Sequence, residues 1–334
     1  MLWLTKLFDT RNITRVGQLS LFFVSFFLAG VLLADEGAAA EPPITALAFD
    51  ADGGGLLVAS QSGVKVRSWP KLDAERELDI TVENVRDLRF DSTGKWLAIA
   101  GGRPTEEGTV EILAWPSGKT IQVRSNHDDV VTSVAWTDNG MLVAGGMDHD
   151  LFVLEGSAKS GLKPQRLRGH SKGVLSVVAL PGSDWMVSAG IDQNLRVWNT
   201  ESLELIRSLN NHTKTVTDMA AKPGQLPLPV VASASEDKTI RLWQPSIGRM
   251  IRFARLDSVP LQVGWYPDGS LIVASCSDGG IRVVDPTTAQ VTQKLDGIDG
   301  WAYALAVHPT DGSVVVGGLN GQLKRVMLPT SSEQ

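Results

Sequence analysis

Residues 169 to 199 read GHSKGVLSVVALPGSDWMVSAGIDQNLRVWN. A His, a Ser and an Asp fall within this stretch, so His170, Ser188 and Asp192 pose a choice between a nucleophilic triad and a device that holds up a fold. Two apolar runs flank a Pro- and Gly-bearing turn, and after a second tight turn the run NLRVWN follows. Alternation with period two in runs this short predicts antiparallel strands.

Outward from this stretch the pattern recurs, and repeats decide a fold before single motifs do. The segments are TALAFDADGGGLLVA, RDLRFDSTGKWLAIA, TSVAWTDNGMLVA, LSVVALPGSDWMVSA, TDMAAKPGQLPLPVVASA, LQVGWYPDGSLIVA and YALAVHPTDGSVVVG. Third runs follow each of them: VKVRSW, TVEILAW, DLFVLE, NLRVWN, TIRLWQ, GIRVVD and GQLKRVM. The residues closing the first runs are Phe49, Phe90, Trp136, Ala179, Ala221, Trp265 and Val307, at steps of 41, 46, 43, 42, 44 and 42. The long step has a cause in GGRPTEEGT, which lengthens the second turn of repeat two. Repeats are read at about 44–72, 85–120, 130–160, 173–209, 215–254, 259–295 and 300–334, after a leader of residues 1–40. Beyond residue 41 there is no helical apolar stripe. Tandem units of about 40 to 45 residues with four short strands predict an all-β fold, a β-propeller with one sheet per blade. Fourth strands are legible at LELIRSL (203–209) and AQVTQKL (289–295). The last repeat ends its third strand near Val326 with poor strand material around it, which predicts a three-stranded or frayed last blade.

The chain resembles the WD40 repeat (G-beta repeat) family over residues 44 to about 327. The residues that carry the resemblance are Gly169-His170 with Val197-Trp198-Asn199, then Asn211-His212 with Leu242-Trp243-Gln244. The resemblance implies a seven-bladed propeller. It further implies two hydrogen-bonded chains, His170, Ser188, Asp192, Trp198 and His212, Ser233, Asp237, Trp243, while repeat three keeps only His127 and Asp148. A hydrolase needs one exposed nucleophile, whereas a set duplicated at the same register serves structure. No G-x-S-x-G elbow accompanies Ser188 or Ser233.

Net charge is -6 and no basic segment interleaves with aromatics, so there is little footprint for nucleic acid. The single Cys276 lies in LIVASCS, where it reads as a small buried hydrophobe; a disulfide within the chain and a Cys-based zinc site are both excluded. Asp148-His149-Asp150 reads as turn chemistry, with a cation site kept open by Asp128-Asp129 nearby. No catalytic residue, metal ligand or cofactor is assigned. Before LSLFFVSFFLAGVLLA (residues 19–34) stand Lys6, Arg11 and Arg15, and Ala38 and Ala40 fit an A-x-A cleavage pattern. Residues 1–40 therefore read as an export signal cleaved after Ala40, or as an uncleaved anchor through residues 19–34, with the rest of the chain periplasmic or extracellular.

Loops that enter the first strands and turns between second and third strands should open on one face. That face would carry Arg103, Glu106, Glu107, Asp128, Asp129, His149, Lys172, Lys214, Lys238, Asp299 and Trp301, a mixed-charge surface suited to a protein partner. The expected function is an exported, non-enzymatic scaffold for protein partners. The alternative is a propeller enzyme or ligand-binding protein, lactonase-like or a redox-complex subunit; it needs inward carboxylate, Asn or His ligands on several first strands, which read mostly Ala, Val, Leu and Ser.

Overall fold

The computed structural model describes residues 41–155 and 164–328. The leader, on which the export reading falls, lies outside the described residues. The seven repeats form seven antiparallel sheets. Blade one is β1 Ile44–Phe49, β2 Gly55–Ser60, β3 Gly63–Ser68 and β4 Ala74–Glu77. Blade two is β5 Asp87–Phe90, β6 Trp96–Arg103, β7 Glu107–Ala114 and β8 Lys119–His127; blade three is β9 Val131–Trp136, β10 Met141–Gly146, β11 Asp150–Glu155 and β12 Gln165–Arg168. Blade four is β13 Val174–Ala179, β14 Trp185–Gly190, β15 Leu195–Asn199 and β16 Leu205–Leu209; blade five is β17 Val216–Ala221, β18 Val231–Ser235, β19 Thr239–Gln244 and β20 Arg249–Arg255. Blade six is β21 Pro260–Trp265, β22 Ile272–Cys276, β23 Ile281–Asp285 and β24 Gln290–Leu295; blade seven is β25 Ala304–Val307, β26 Ser313–Gly317 and β27 Leu323–Met327.

The first strands contact one another in sequence, and β1 meets β25, so the ring is closed. Seven apolar clusters fill the seven gaps between blades. This explains why second strands such as β18, β22 and β26 are buried along their whole length and read as continuous apolar runs, for both of their faces meet a neighbouring blade. Outer strands lack that cover. β4 is exposed at every residue, and the fourth strands of blades one and three lie past the ends read for those repeats at 72 and 160, while that of blade two runs across its end at 120, because a solvated edge needs no apolar alternation to mark it.

Blade seven has three strands among the described residues. Its junction with blade one is sealed by side chains. Trp69 stacks on His308 at 4.9 Å and meets Phe49 edge-on, and its indole N–H donates to Asp311 at 2.9 Å. Arg325 caps the same indole at 4.6 Å. Trp69 thus packs between blades, and so does Trp115, which meets Phe90 of its own blade and Arg76 of blade one.

Cys276 is fully buried between blades, and burial pushes its thiol pKa up to about 12. We expect a thiol-reactive chromophore to titrate nothing in the native protein and one thiol after denaturation. Rapid native labelling would show that this interface opens on its own.

Candidate interaction face and channel

In blade four the opening stretch resolves into a continuous chain of hydrogen bonds. Trp198 Nε1–H donates to Ser188 Oγ at 2.8 Å, Ser188 Oγ–H to His170 Nε2 at 2.7 Å, and His170 Nδ1–H to Asp192 at 3.0 Å. Blade five repeats it: Trp243 to Ser233 at 2.8 Å, Ser233 to His212 at 2.7 Å, His212 to Asp237 at 2.9 Å. These are triad distances, yet Ser188 and Ser233 are both 0% exposed, so no substrate reaches either hydroxyl. Each carboxylate also accepts from a backbone amide of the loop before the first strand, Ser171 and Thr213 respectively. The tetrad therefore ties the second and third strands, the turn between them and the loop before the first strand together. Burial pushes the His170 and His212 pKa values down despite the opposing carboxylates, so both rings are neutral near pH 7.

A further member was missed in the sequence, an Arg four residues after each turn Asp. Arg196 donates to Asp192 at 2.8 Å, and Arg241 lies 3.4 Å from Asp237. In blade six Arg282 meets Asp278 and, at 2.9 Å, Asp257. The signal was available as D-x-x-x-R in DQNLR, DKTIR and DGGIR.

Blade three is incomplete. His127 bonds Asp148 at 2.8 Å, but Ala144 stands at the register of Ser188 and His127 Nε2 is buried without a partner. Phe152 fills the Arg register and meets the His127 ring edge-on at 4.6 Å. We expect Ala144→Ser to supply the missing donor and stabilise by about 1 kcal/mol, raising the melting midpoint by about 2 to 4 °C. A lower midpoint would mean that the added oxygen overfills the site.

The turn holding His149 adopts the left-handed conformation at φ 75°, matched by Gln193 at 69°, Lys238 at 63° and Gly279 at 80° in the turns of blades four to six. Asp148 is consumed by His127 and the Asp128 amide, and Asp150 by Arg166. Asp148-His149-Asp150 is thus a turn, and among the described residues no three His, Cys, Asp or Glu side chains stand together to hold a metal.

The residues assigned to the interaction face lie at one end of the ring. Arg103 pairs with Glu106 at 3.1 Å and Glu107 at 2.7 Å, and the Thr105 amide of that turn donates to Asp129 at 2.8 Å. Asp128 lies 3.8 Å from Arg166. His149, Lys172, Lys214, Lys238 and Asp299 are exposed. Lys238 Nζ donates to the Asp257 carbonyl at 3.0 Å, and the Asp299 backbone is bracketed by Gln322. Trp301 is half-buried, with its ring 5.9 Å from that of Tyr303. The face is acid-rich over blades two and three and lysine-bearing over blades four and five.

The first strands differ from the expectation that they carry few inward polar groups. Asp87, Ser133, Ser176, Asp218 and Gln262 occupy one register, and each takes a backbone amide of the next blade's first strand. Val134 N–H donates to Asp87 at 3.0 Å, Val177 to Ser133 at 3.1 Å, Met219 to Ser176 at 3.0 Å, Val263 to Asp218 at 3.0 Å and Leu305 to Gln262 at 2.6 Å. Ala46 and Ala304 hold that register in blades one and seven. These polar groups are spent on joining blades, so they do not form an open ligand set.

Four stretches of the chain match the family model "WD domain, G-beta repeat", residues 118–153, 161–199, 203–244 and 257–285. The match at 203–244 takes in β16 of blade four and then β17, β18 and β19 of blade five, so a sequence repeat straddles two blades. Over 227 residues the chain is 26% identical to "Protein ROOT INITIATION DEFECTIVE 3" of Arabidopsis thaliana, covering 63% of this chain and 51% of that protein. It is 30% identical over 185 residues to "Protein transport protein sec13" of Aspergillus oryzae, covering 48% of this chain and 63% of that one. Similarity to "WD repeat and HMG-box DNA-binding protein 1" of Xenopus laevis is 24% over 280 residues, 79% of this chain and 24% of the relative. The chain spans less than two thirds of the length of each of these relatives. The molecule is an all-β, seven-bladed propeller built on WD40 repeats.

Proposed function

We propose that this protein is a scaffold that binds protein partners on its loop face and performs no catalysis of its own. The observation that carries the reading is the division of labour among polar groups. Those resembling catalytic machinery are buried in the tetrads, while the loop face presents exposed charges of opposite sign on neighbouring blades, on a frame closed by seven apolar clusters. WD40-repeat relatives named for a transport protein and, in "THO complex subunit 3" of Arabidopsis thaliana, for a complex subunit support it. We further propose that residues 1–40 direct export or anchor the chain, on the strength of the basic lead, the apolar run and the A-x-A pattern.

Affinity capture from the native host with the Lys172→Glu/Lys214→Glu double variant tests the partner face. A defined set of proteins retained by wild type, lost by this variant and kept by Lys95→Glu in the β5–β6 turn is the expected result. Equal recovery by all three would remove the face from consideration. Sequencing the mature N-terminus tests the leader, with Glu41 as first residue expected for a cleaved signal and Met1 for an anchor or an unprocessed chain.

A further inference from the structure

The outer strands of blades two to seven carry one sign of charge. β8, β12, β16, β20, β24 and β27 together hold eleven lysines and arginines and no aspartate or glutamate, on a chain whose net charge is -6. Charge of either sign guards an exposed edge strand against stray pairing, so edge protection does not account for a rim of cations alone. No single repeat shows the bias, because each outer strand supplies one to three cations and only the fold sets them side by side.

Counter-charge is scarcest over blades four and five. Elsewhere on the rim Arg166 is held by Asp150, Lys294 by Asp257 and Arg325 by Asp311. Arg207 of β16 and Arg249, Arg252 and Arg255 of β20 have no carboxylate partner among the described residues, and Asp257, two residues past β20, is taken by Arg282 and Lys294. Arg207 lies against Gly248 of the β19–β20 turn, where an added Cβ would stand 2.9 Å from its Nη1, so the two outer strands form one strip. The Arg207 Nε is buried without a partner. Ile247, Phe253, Leu205 and Ile206 stand among these arginines at 39 to 49% exposure, half of the large apolar side chains exposed among the described residues. RMIRFAR places Phe253 between Arg252 and Arg255, which corrects the reading that no basic segment interleaves with an aromatic.

Guanidiniums with exposed aliphatic and aromatic side chains between them match the boundary of a bilayer, where phosphates meet the charge and the headgroup level receives the apolar groups. A polyanion without apolar surface answers only the charge. The leader favours lipid over an acidic protein, since its apolar run at residues 19–34, read as a signal or anchor, brings the chain to a membrane, and an apolar segment with a basic patch is a pairing that holds proteins there.

We propose that the rim of blades four and five docks on an anionic phospholipid surface, with Arg207, Arg249, Arg252 and Arg255 at the phosphates and Ile247 and Phe253 at the headgroup boundary. The rest of the chain is acidic and is repelled by the same surface, which orients the molecule rim-on and leaves the loop face open for partners. The choice of lipid rests on the leader reading, which the same experiment reads separately.

Cys276 is buried, so Ile247→Cys and, on the loop face, Lys172→Cys can each carry one environment-sensitive fluorophore on the full-length chain. The probes are vesicles of phosphatidylcholine with about 30% phosphatidylglycerol, and vesicles of phosphatidylcholine alone. The label at 247 should shift to the blue with the anionic vesicles only, while the label at 172 stays still. Arg249→Gln/Arg252→Gln/Arg255→Gln should need about tenfold more lipid or greater for the same shift, and about 0.5 M sodium chloride should weaken wild type in the same direction. Phe253→Ser keeps every charge and should also need more lipid, by a smaller factor. Flotation of the chain with both kinds of vesicle would report a retained leader, whatever the label does. A label at 247 that anionic vesicles leave unmoved, that neutral vesicles move equally, or that responds alike in wild type and the triple variant overturns the proposal. A shift with poly-L-glutamate and none with vesicles also overturns it, and would assign the rim to an acidic polypeptide.

Discussion

Ser188→Ala is expected to lower the unfolding free energy by about 3 kcal/mol. The hydroxyl is the hinge of the blade-four tetrad, accepting from Trp198 and donating to His170 at 2.8 and 2.7 Å. Removing it orphans an indole N–H and an imidazole nitrogen in a site where Ser188 is 0% exposed, and each orphan costs about 1 to 3 kcal/mol. Ser233→Ala should match it, as the distances are the same to within 0.1 Å. Denaturant midpoints measure both. A loss below about 0.5 kcal/mol in either would mean that water replaces the hydroxyl and that the tetrad contributes little.

Acid probes the same groups. A histidine whose folded pKa lies below its unfolded value binds protons more readily when unfolded, so the contribution of His170 and His212 is complete above about pH 6.5 and falls as pH drops below it. For Asp192, burial alone would raise the pKa; hydrogen bonds from His170 and the Ser171 amide together with Arg196 bring it down to about 2. Its contribution is lost only as pH falls below the usual carboxylate value near 4.

The tetrads were legible because WD40 motifs are spaced along one chain segment and recur at the same register. The blade count was legible for a related reason: second strands sandwiched between blades must be apolar, and Gly- or Asp-bearing turns separate them. What escaped reading is whatever joins one blade to the next. Asp87, Asp218 and Gln262 sit in short, mostly apolar strands, DLRF, VTDMAA and PLQVGW, and nothing within one repeat shows that they bond a residue some 43 to 47 positions away. Laying the repeats in register would have exposed them, since a polar residue stands three positions before the strand-closing residue in five of the seven. The outer strands escaped for the opposite reason. AERE at β4 is solvent-exposed throughout, so its sequence carries no pattern.

Asp218→Ala is expected to cost more at pH 5 than at pH 8, a direction opposite to that of the histidines. Asp218 accepts from Ser176 Oγ at 3.0 Å and from the Val263 amide at 3.0 Å, so it ties blade five to blades four and six. Truncation orphans the Val263 donor and breaks the Ser176 bond, a loss of about 2 to 3 kcal/mol at pH 8. Burial raises the Asp218 pKa to about 6, with Arg89 and the hydrogen bonds to Val263 and Ser176 opposing the rise. A carboxyl whose folded pKa is raised binds more protons folded than unfolded, so it stabilises at low pH and loses that contribution as pH climbs from about 4 through about 6. Between pH 8 and pH 5 the gain is about 1 kcal/mol, which Asp218→Ala forfeits. The cost should therefore reach about 3 to 4 kcal/mol at pH 5, and the variant should lose stability on acidification more steeply than wild type. Parallel stability profiles of variant and wild type would show that Asp218 is ionised throughout, and would assign its role to charge neutralisation of Arg89 in the channel. A variant whose deficit shrinks at pH 5 would reverse the sign of the argument, since it would require the ionised form to be the one the fold prefers.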